Sequence, residues 1–106
     1  NEHVLQIRMQ KMIGFIQEHY AEDVSLQDIA NAASISRSEA SRCFQSYLHT
    51  SPVNYLLKYR VERSMQLLRD GNMTVEALEC GFSSSAYFCK LFRSHTGMTP
   101  KQYRSK

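Results

Sequence analysis

Proline and glycine are scarce, two and four in 106 residues. Turn-rich sheet proteins and extended linkers use both freely, so their scarcity argues against each. No apolar run approaches the roughly 18 residues of a membrane span, and no secretory leader pattern opens the chain. The three cysteines, Cys43, Cys80 and Cys89, lack CxxC spacing and stand near no pair of histidines, which argues against a zinc site or a disulfide framework. They read as buried, reduced thiols. His3, His19, His49 and His95 are scattered singly, as surface or packing residues are. HExxH, a nucleophile elbow, a phosphate-binding glycine loop and clustered carboxylates are all missing. The chain is therefore expected to be no enzyme and to use no metal and no cofactor.

What is present suffices for a folded domain, since 42% of the residues are hydrophobic and 10% aromatic. The net charge of +3 conceals an asymmetry. Residues 1–35 carry two basic and five acidic side chains, whereas residues 36–106 carry eleven basic and five acidic. After Glu79 there is no acid at all, while Lys90, Arg93, Lys101, Arg104 and Lys106 remain. Charge sorted in this way predicts one positive face, for which an anionic polymer is the natural partner.

The apolar spacing is helical nearly throughout. Leu5, Met9, Met12, Ile13, Ile16 and Tyr20 mark a first helix over about 3–20. Ser25 and Asp28 form a capping box at the start of a short second helix, and Ser36 with Glu39 a second box at the start of a third. That third helix is expected to bury Ala40, Cys43, Phe44 and Tyr47. Ser51-Pro52 opens a long helix that Asp70-Gly71-Asn72 ends. A short helix follows over about 74–80, another is capped by Ser83, Ser84 or Ser85 and stopped by Gly97, and Thr99-Pro100 opens the last. The expectation is an all-α fold of seven helices.

The second half repeats the first. Phe44, Pro52 and Tyr55 recur 48 residues on as Phe92, Pro100 and Tyr103. Upstream the displacement is 47, matching Ala30 to Ala77, Ile35 to Phe82 and Ser36 to Ser83, so one residue is added between turn and Phe. Each copy is a short helix, a tight turn and a capped helix with a polar outer face, the outline of a helix-turn-helix. Two copies are predicted, over 1–50 and 72–106, joined by a linker helix over 51–71. The outer face of the first offers Arg37, Ser38, Ser41 and Arg42. The second offers Ser84, Ser85, Ala86, Cys89 and Lys90. Arginine can grip guanine through two hydrogen bonds, and a small side chain can pack on a thymine methyl. Hydroxyls and amides near Ser36 and Ser83 are placed for phosphates.

The run Pro52-Val53-Asn54-Tyr55-Leu56, Arg60-Val61, Ser64 and Leu67-Leu68, followed by Gly81-Phe82, Tyr87-Phe88, Phe92-Arg93, Gly97-Met98-Thr99-Pro100 and Tyr103-Arg104, resembles the AraC/XylS family of bacterial transcription regulators. The likeness covers nearly all of 8–105 and is most specific from Gly81 to Arg104. It implies sequence-specific binding to double-stranded DNA by two helix-turn-helix units in successive major-groove segments, in a cytoplasmic, nucleoid-associated regulator that acts as an activator and touches RNA polymerase. It places Arg37, Ser38, Ser41, Arg42, Ser85, Ala86, Cys89 and Lys90 at base edges. Ser36, Gln45, Ser83, Ser84, Arg93, Lys101 and Arg104 are assigned to phosphates. Arg60 falls on a structural arginine of the linker helix, and Phe82, Phe88 and Phe92 on core positions. An effector or dimerisation domain is expected to precede Asn1, and no membrane association is expected.

The sequence departs from the family pattern at three places. Glu76 stands where an aliphatic residue of the supporting helix is usual, Ser34 where the first turn often has glycine, and Ser64 where alanine is common. Lys90 is the only cation among the second unit's base-facing residues, so more base discrimination is expected from the first unit. The rival reading is a helical module whose basic face meets an acidic protein. Only DNA binding predicts a steep loss of affinity with salt and a preference for one duplex over a scrambled one.

Overall fold

The computed structural model describes residues 2–70, 80–82 and 84–104. All secondary structure among them is helical. Six helices are described: α1 (Glu2–His19), α2 (Leu26–Ala32), α3 (Arg37–Leu48), α4 (Pro52–Arg69), α5 (Ser85–Thr96) and α6 (Pro100–Arg104). The seventh, predicted over 74–80, lies outside the described residues, as do Glu76 and Ser83. No described helix is long and apolar enough to cross a membrane. The chain divides into two compact units, residues 1–56 and 57–106.

In the first unit α1, α2 and α3 pack against one another. Met9, Met12 and Ile16 of α1 meet a core that includes Ile29 and Ala30 of α2, Ala40, Cys43 and Phe44 of α3, and Leu56 of α4. The starts of these helices follow from their caps. Asp28 N–H donates to Ser25 Oγ at 3.1 Å while Ser25 N–H donates to the Asp28 carboxylate at 2.9 Å, a complete capping box. The hydrogen bond from the Ser25 backbone N–H, and after it one from the Ser25 side chain to the carboxylate, hold the Asp28 carboxyl below the usual carboxylate range. At α3 the Ser36 hydroxyl accepts from Glu39 N–H at 3.1 Å. The second half of the expected box is replaced, because the Glu39 carboxylate is drawn to the guanidinium of Arg8, 3.0 Å away.

Between α2 and α3 the chain turns through Ser34, at φ 58°. Ser34 N–H donates to Asn31 O and Ile35 N–H to Ala30 O, the pair of bonds that closes a helix with a left-handed residue. Glycine is common at such a position because it adopts this conformation without a Cβ clash. Tyr47 corrects the expected core, since 46% of it is exposed near the C-terminal end of α3 while Phe44 is fully buried.

The second unit is built on aromatic rings. Phe82, Phe88 and Phe92 are buried, with centroids 5.2 Å apart for the first pair and 5.7 Å for the second. The Arg60 guanidinium carbon lies 6.0 Å from the Phe82 centroid, and the residue is 8% exposed, in keeping with a structural role. Ser64 is fully buried and its hydroxyl donates to Val61 O at 2.6 Å, so the polar group carries its own partner.

The internal repeat is visible as repeated contacts. Phe44 meets Tyr55 at 5.6 Å between centroids, and Phe92 meets Tyr103 at 5.4 Å. Pro52 and Pro100 are both buried at the first position of a helix. Ser51 caps α4 and Thr99 caps α6, by accepting from Asn54 N–H and Gln102 N–H. His49 and Gly97, 48 residues apart, both end their helices in the left-handed region. Ser34 and Gly81 are its left-handed turn residues, 47 apart. The cap of α5 is Ser84, which accepts from Tyr87 N–H at 3.2 Å, and it stands 48 residues after Ser36. The added residue therefore falls ahead of the cap, between Phe82 and Ser84, and Ser36 corresponds to Ser84 rather than to Ser83.

Candidate nucleic-acid interface

Helices α3 and α5 have the same division of faces. On α3 the buried residues Ala40, Cys43 and Phe44 leave Arg37, Ser38, Arg42 and Gln45 exposed and Ser41 half-buried. On α5 Phe88 and Phe92 are buried while Ala86, Cys89, Lys90 and Arg93 are exposed. Cys89 thus departs from the expectation of three buried thiols: Cys43 and Cys80 are enclosed and Cys89 is not. Its helical phase explains this, since it lies one residue after Phe88 and three before Phe92. Ser38, Ser41, Arg42 and Gln45 follow three- and four-residue spacing, and so do Ala86, Cys89, Lys90 and Arg93 48 positions later. Each set forms one stripe along its helix.

The stripes differ in charge. Arg42 is the one cation of the first, its side chain 72% exposed, with Arg37 beside the stripe at the start of α3. Lys90 and Arg93 lie on the second, with Lys101 and Arg104 exposed on α6. An open depression beside the second stripe is lined by Cys89, Lys90, Arg93, Ser94 and Thr99. Ser36 and Ser84 are exposed at the two helix starts. Each uses its oxygen to accept from the backbone, which leaves the hydroxyl proton to be donated outward. Ser85 opens α5, and Ser83 lies outside the described residues. Among the described residues no group of three or more His, Cys, Asp or Glu could hold a metal ion.

Sequence reasoning missed the partner of the first stripe. Glu39 Oε2 lies 3.0 Å from Arg8 Nη1, and Glu39 Oε1 lies 3.8 Å from Arg42 Nη2. The helical spacing of Glu39 and Arg42 was a signal for the second contact, but none pointed to Arg8, 31 residues away on α1.

A short helix, a turn closed by a left-handed residue and a capped helix with a polar outer stripe define the helix-turn-helix class. Residues 29–106 match the family described as a helix-turn-helix domain. Over 99 residues, 92% of this chain, the sequence is 38% identical to the uncharacterized HTH-type transcriptional regulator YdeC of Bacillus subtilis, and covers 34% of it. A Chromobacterium violaceum transcriptional regulator, described among AraC-type DNA-binding domain-containing proteins, is similar with a TM-score of 0.87 and 32% identity, over 94% of this chain and 91% of that one. The DNA-binding domain of AdpA, solved in complex with a target DNA, has a TM-score of 0.85 and 28% identity, over 91% and 88% of the two chains. The chain belongs to the AraC-type helix-turn-helix domains of transcriptional regulators. It spans about a third of the length of the curated relatives it matches.

Proposed function

We propose that the chain binds double-stranded DNA sequence-specifically, with α3 and α5 as reading helices in successive major-groove segments, one from each of two helix-turn-helix units joined by α4. The observation that carries this reading is the doubled exposed stripe, cationic in both copies and backed in both by a buried phenylalanine. Small and hydrogen-bonding side chains on such a stripe let a helix backbone approach base edges, and the flanking cations meet phosphates. In this reading Arg37, Ser38, Ser41 and Arg42, with Ser85, Ala86, Cys89 and Lys90, face bases. Ser36, Gln45, Ser83, Ser84, Arg93, Lys101 and Arg104 face phosphates. The likeness to AdpA, solved on DNA, supports the choice of partner.

For the whole protein the proposal is bacterial transcription regulation, as an activator that contacts RNA polymerase, with effector recognition or dimerisation in sequence beyond this chain. The family resemblance supports that part.

Selection of duplexes from a random library at two salt concentrations tests the DNA reading. A preferred sequence is expected, with affinity falling steeply as salt rises. In the recovered duplex Arg42→Ala should cost about 1–3 kcal/mol and relax one base position. A uniform loss over all sequences would move Arg42 to the phosphate contacts. Greater relaxation with Lys90→Ala than with Arg42→Ala would reverse the ranking of the two units. Equal binding to all duplexes, with tight binding to an acidic protein instead, would favour the interaction-module reading.

A further inference from the structure

Glu39 occupies the third position of α3, where a carboxylate commonly turns back onto the cap. In α2 Asp28 does so, at 2.9 Å from Ser25 N. Glu39 instead bridges two guanidiniums, that of Arg8 on α1 at 3.0 Å and that of Arg42 on the exposed stripe at 3.8 Å. The three side chains run from covered to open, Arg8 at 35%, Glu39 at 41% and Arg42 at 72% exposure. An acid beside a DNA-facing stripe has two effects of opposite sign. It repels phosphates, which weakens the sequence-independent part of binding. It also restricts the guanidinium beside it, which favours the directed two-bond contact to a base over diffuse pairing with a phosphate.

We propose that Glu39 is a positioning residue for Arg42 that raises the ratio of specific to non-specific DNA affinity, with Arg8 anchoring its carboxylate to α1. This rests on the DNA-binding reading above. Glu39 reads no base itself. It trades total affinity for discrimination, and its effect passes through Arg42.

The test uses the full chain with two probes, the duplex that the wild type recovers from a random library and a scrambled duplex of the same composition. Relative to wild type, Glu39→Gln should bind the scrambled duplex about threefold tighter at low salt and steepen the slope of log affinity against log salt by about one. It should also lose severalfold preference at the base pair that Arg42→Ala relaxes, and add nothing to that loss in the Glu39→Gln/Arg42→Ala double variant. A purely structural bridge would make Glu39→Gln and Arg8→Gln lower the melting temperature alike and weaken both duplexes by the same factor, which would overturn the proposal. So would a loss of preference that persists when Arg42 is already alanine. A wild type that prefers no duplex would overturn the DNA reading and this inference with it. A discriminating wild type whose ratio Glu39→Gln leaves unchanged would remove only the role of Glu39.

Discussion

Ser34 is held at φ 58° by two backbone hydrogen bonds, although an L side chain is strained there. The corresponding turn residue of the second unit, 47 positions on, is Gly81 at φ 86°. Ser34→Gly should therefore stabilise the chain by about 0.5–1 kcal/mol, the relief of the left-handed strain exceeding the added freedom of the unfolded glycine. A raised denaturant midpoint checks this, and Ala33→Gly, at φ −106°, should lower it. Phe92 sets the opposite extreme. It is fully buried and touches the rings of both Phe88 and Tyr103, so Phe92→Ala should cost about 3–5 kcal/mol through the cavity it leaves. Calorimetry would read the loss directly. The departure of Ser34 from the usual glycine was evident in the sequence, because turn chemistry is local. The pairing of Glu39 with Arg8 was not, because it depends on how two helices pack.

Helix starts were the most legible elements. Ser25, Ser36, Ser51 and Thr99 all cap as their spacing predicts, since a cap is settled within four residues. Helix faces were read less completely. Tyr47 has the right spacing for a buried stripe, yet it lies near the end of α3, and spacing alone does not say where the packed surface stops. The position of the added residue in the second copy is not settled by spacing either, because three consecutive serines offer equivalent caps and only the backbone distinguishes Ser84. The candidate interface could be recognised as two polar stripes. The charge balance within the first one required the tertiary contact of Arg8.

The capping box of α2 gives that element a pH dependence. Asp28 has its carboxyl below the usual range in the folded chain, so its contribution is complete above the ordinary carboxylate pKa and is lost as pH falls through the depressed folded value. Asp28→Asn should lower stability at neutral pH and flatten the acid limb of a melting-temperature curve against pH, with both variants converging in strong acid. Convergence at neutral pH instead would mean that the charge of Asp28 contributes nothing.

At the scale of the molecule, the two units use one plan with different materials. The first buries methionine, isoleucine and a single phenylalanine, and the second packs three phenylalanines with tilted and edge-on rings and holds a buried arginine over one of them. Equivalent contacts survive this change of composition: a Phe–Tyr ring pair, a buried proline and a left-handed helix end in each unit. The 48-residue repeat was legible because it records these contacts, while the residues between them could diverge.

The three thiols are unequally accessible, and this makes the protein its own chemical reporter. Cys43 and Cys80 are enclosed by the two cores, whereas Cys89 stands open on α5. A small maleimide should couple once per folded chain, at Cys89, and three times in denaturant. Saturating duplex should slow the first coupling if α5 enters a groove, and unchanged kinetics would place the nucleic acid elsewhere. Without any substitution, one adduct count follows unfolding and one labelling rate follows occupancy of the exposed face of α5.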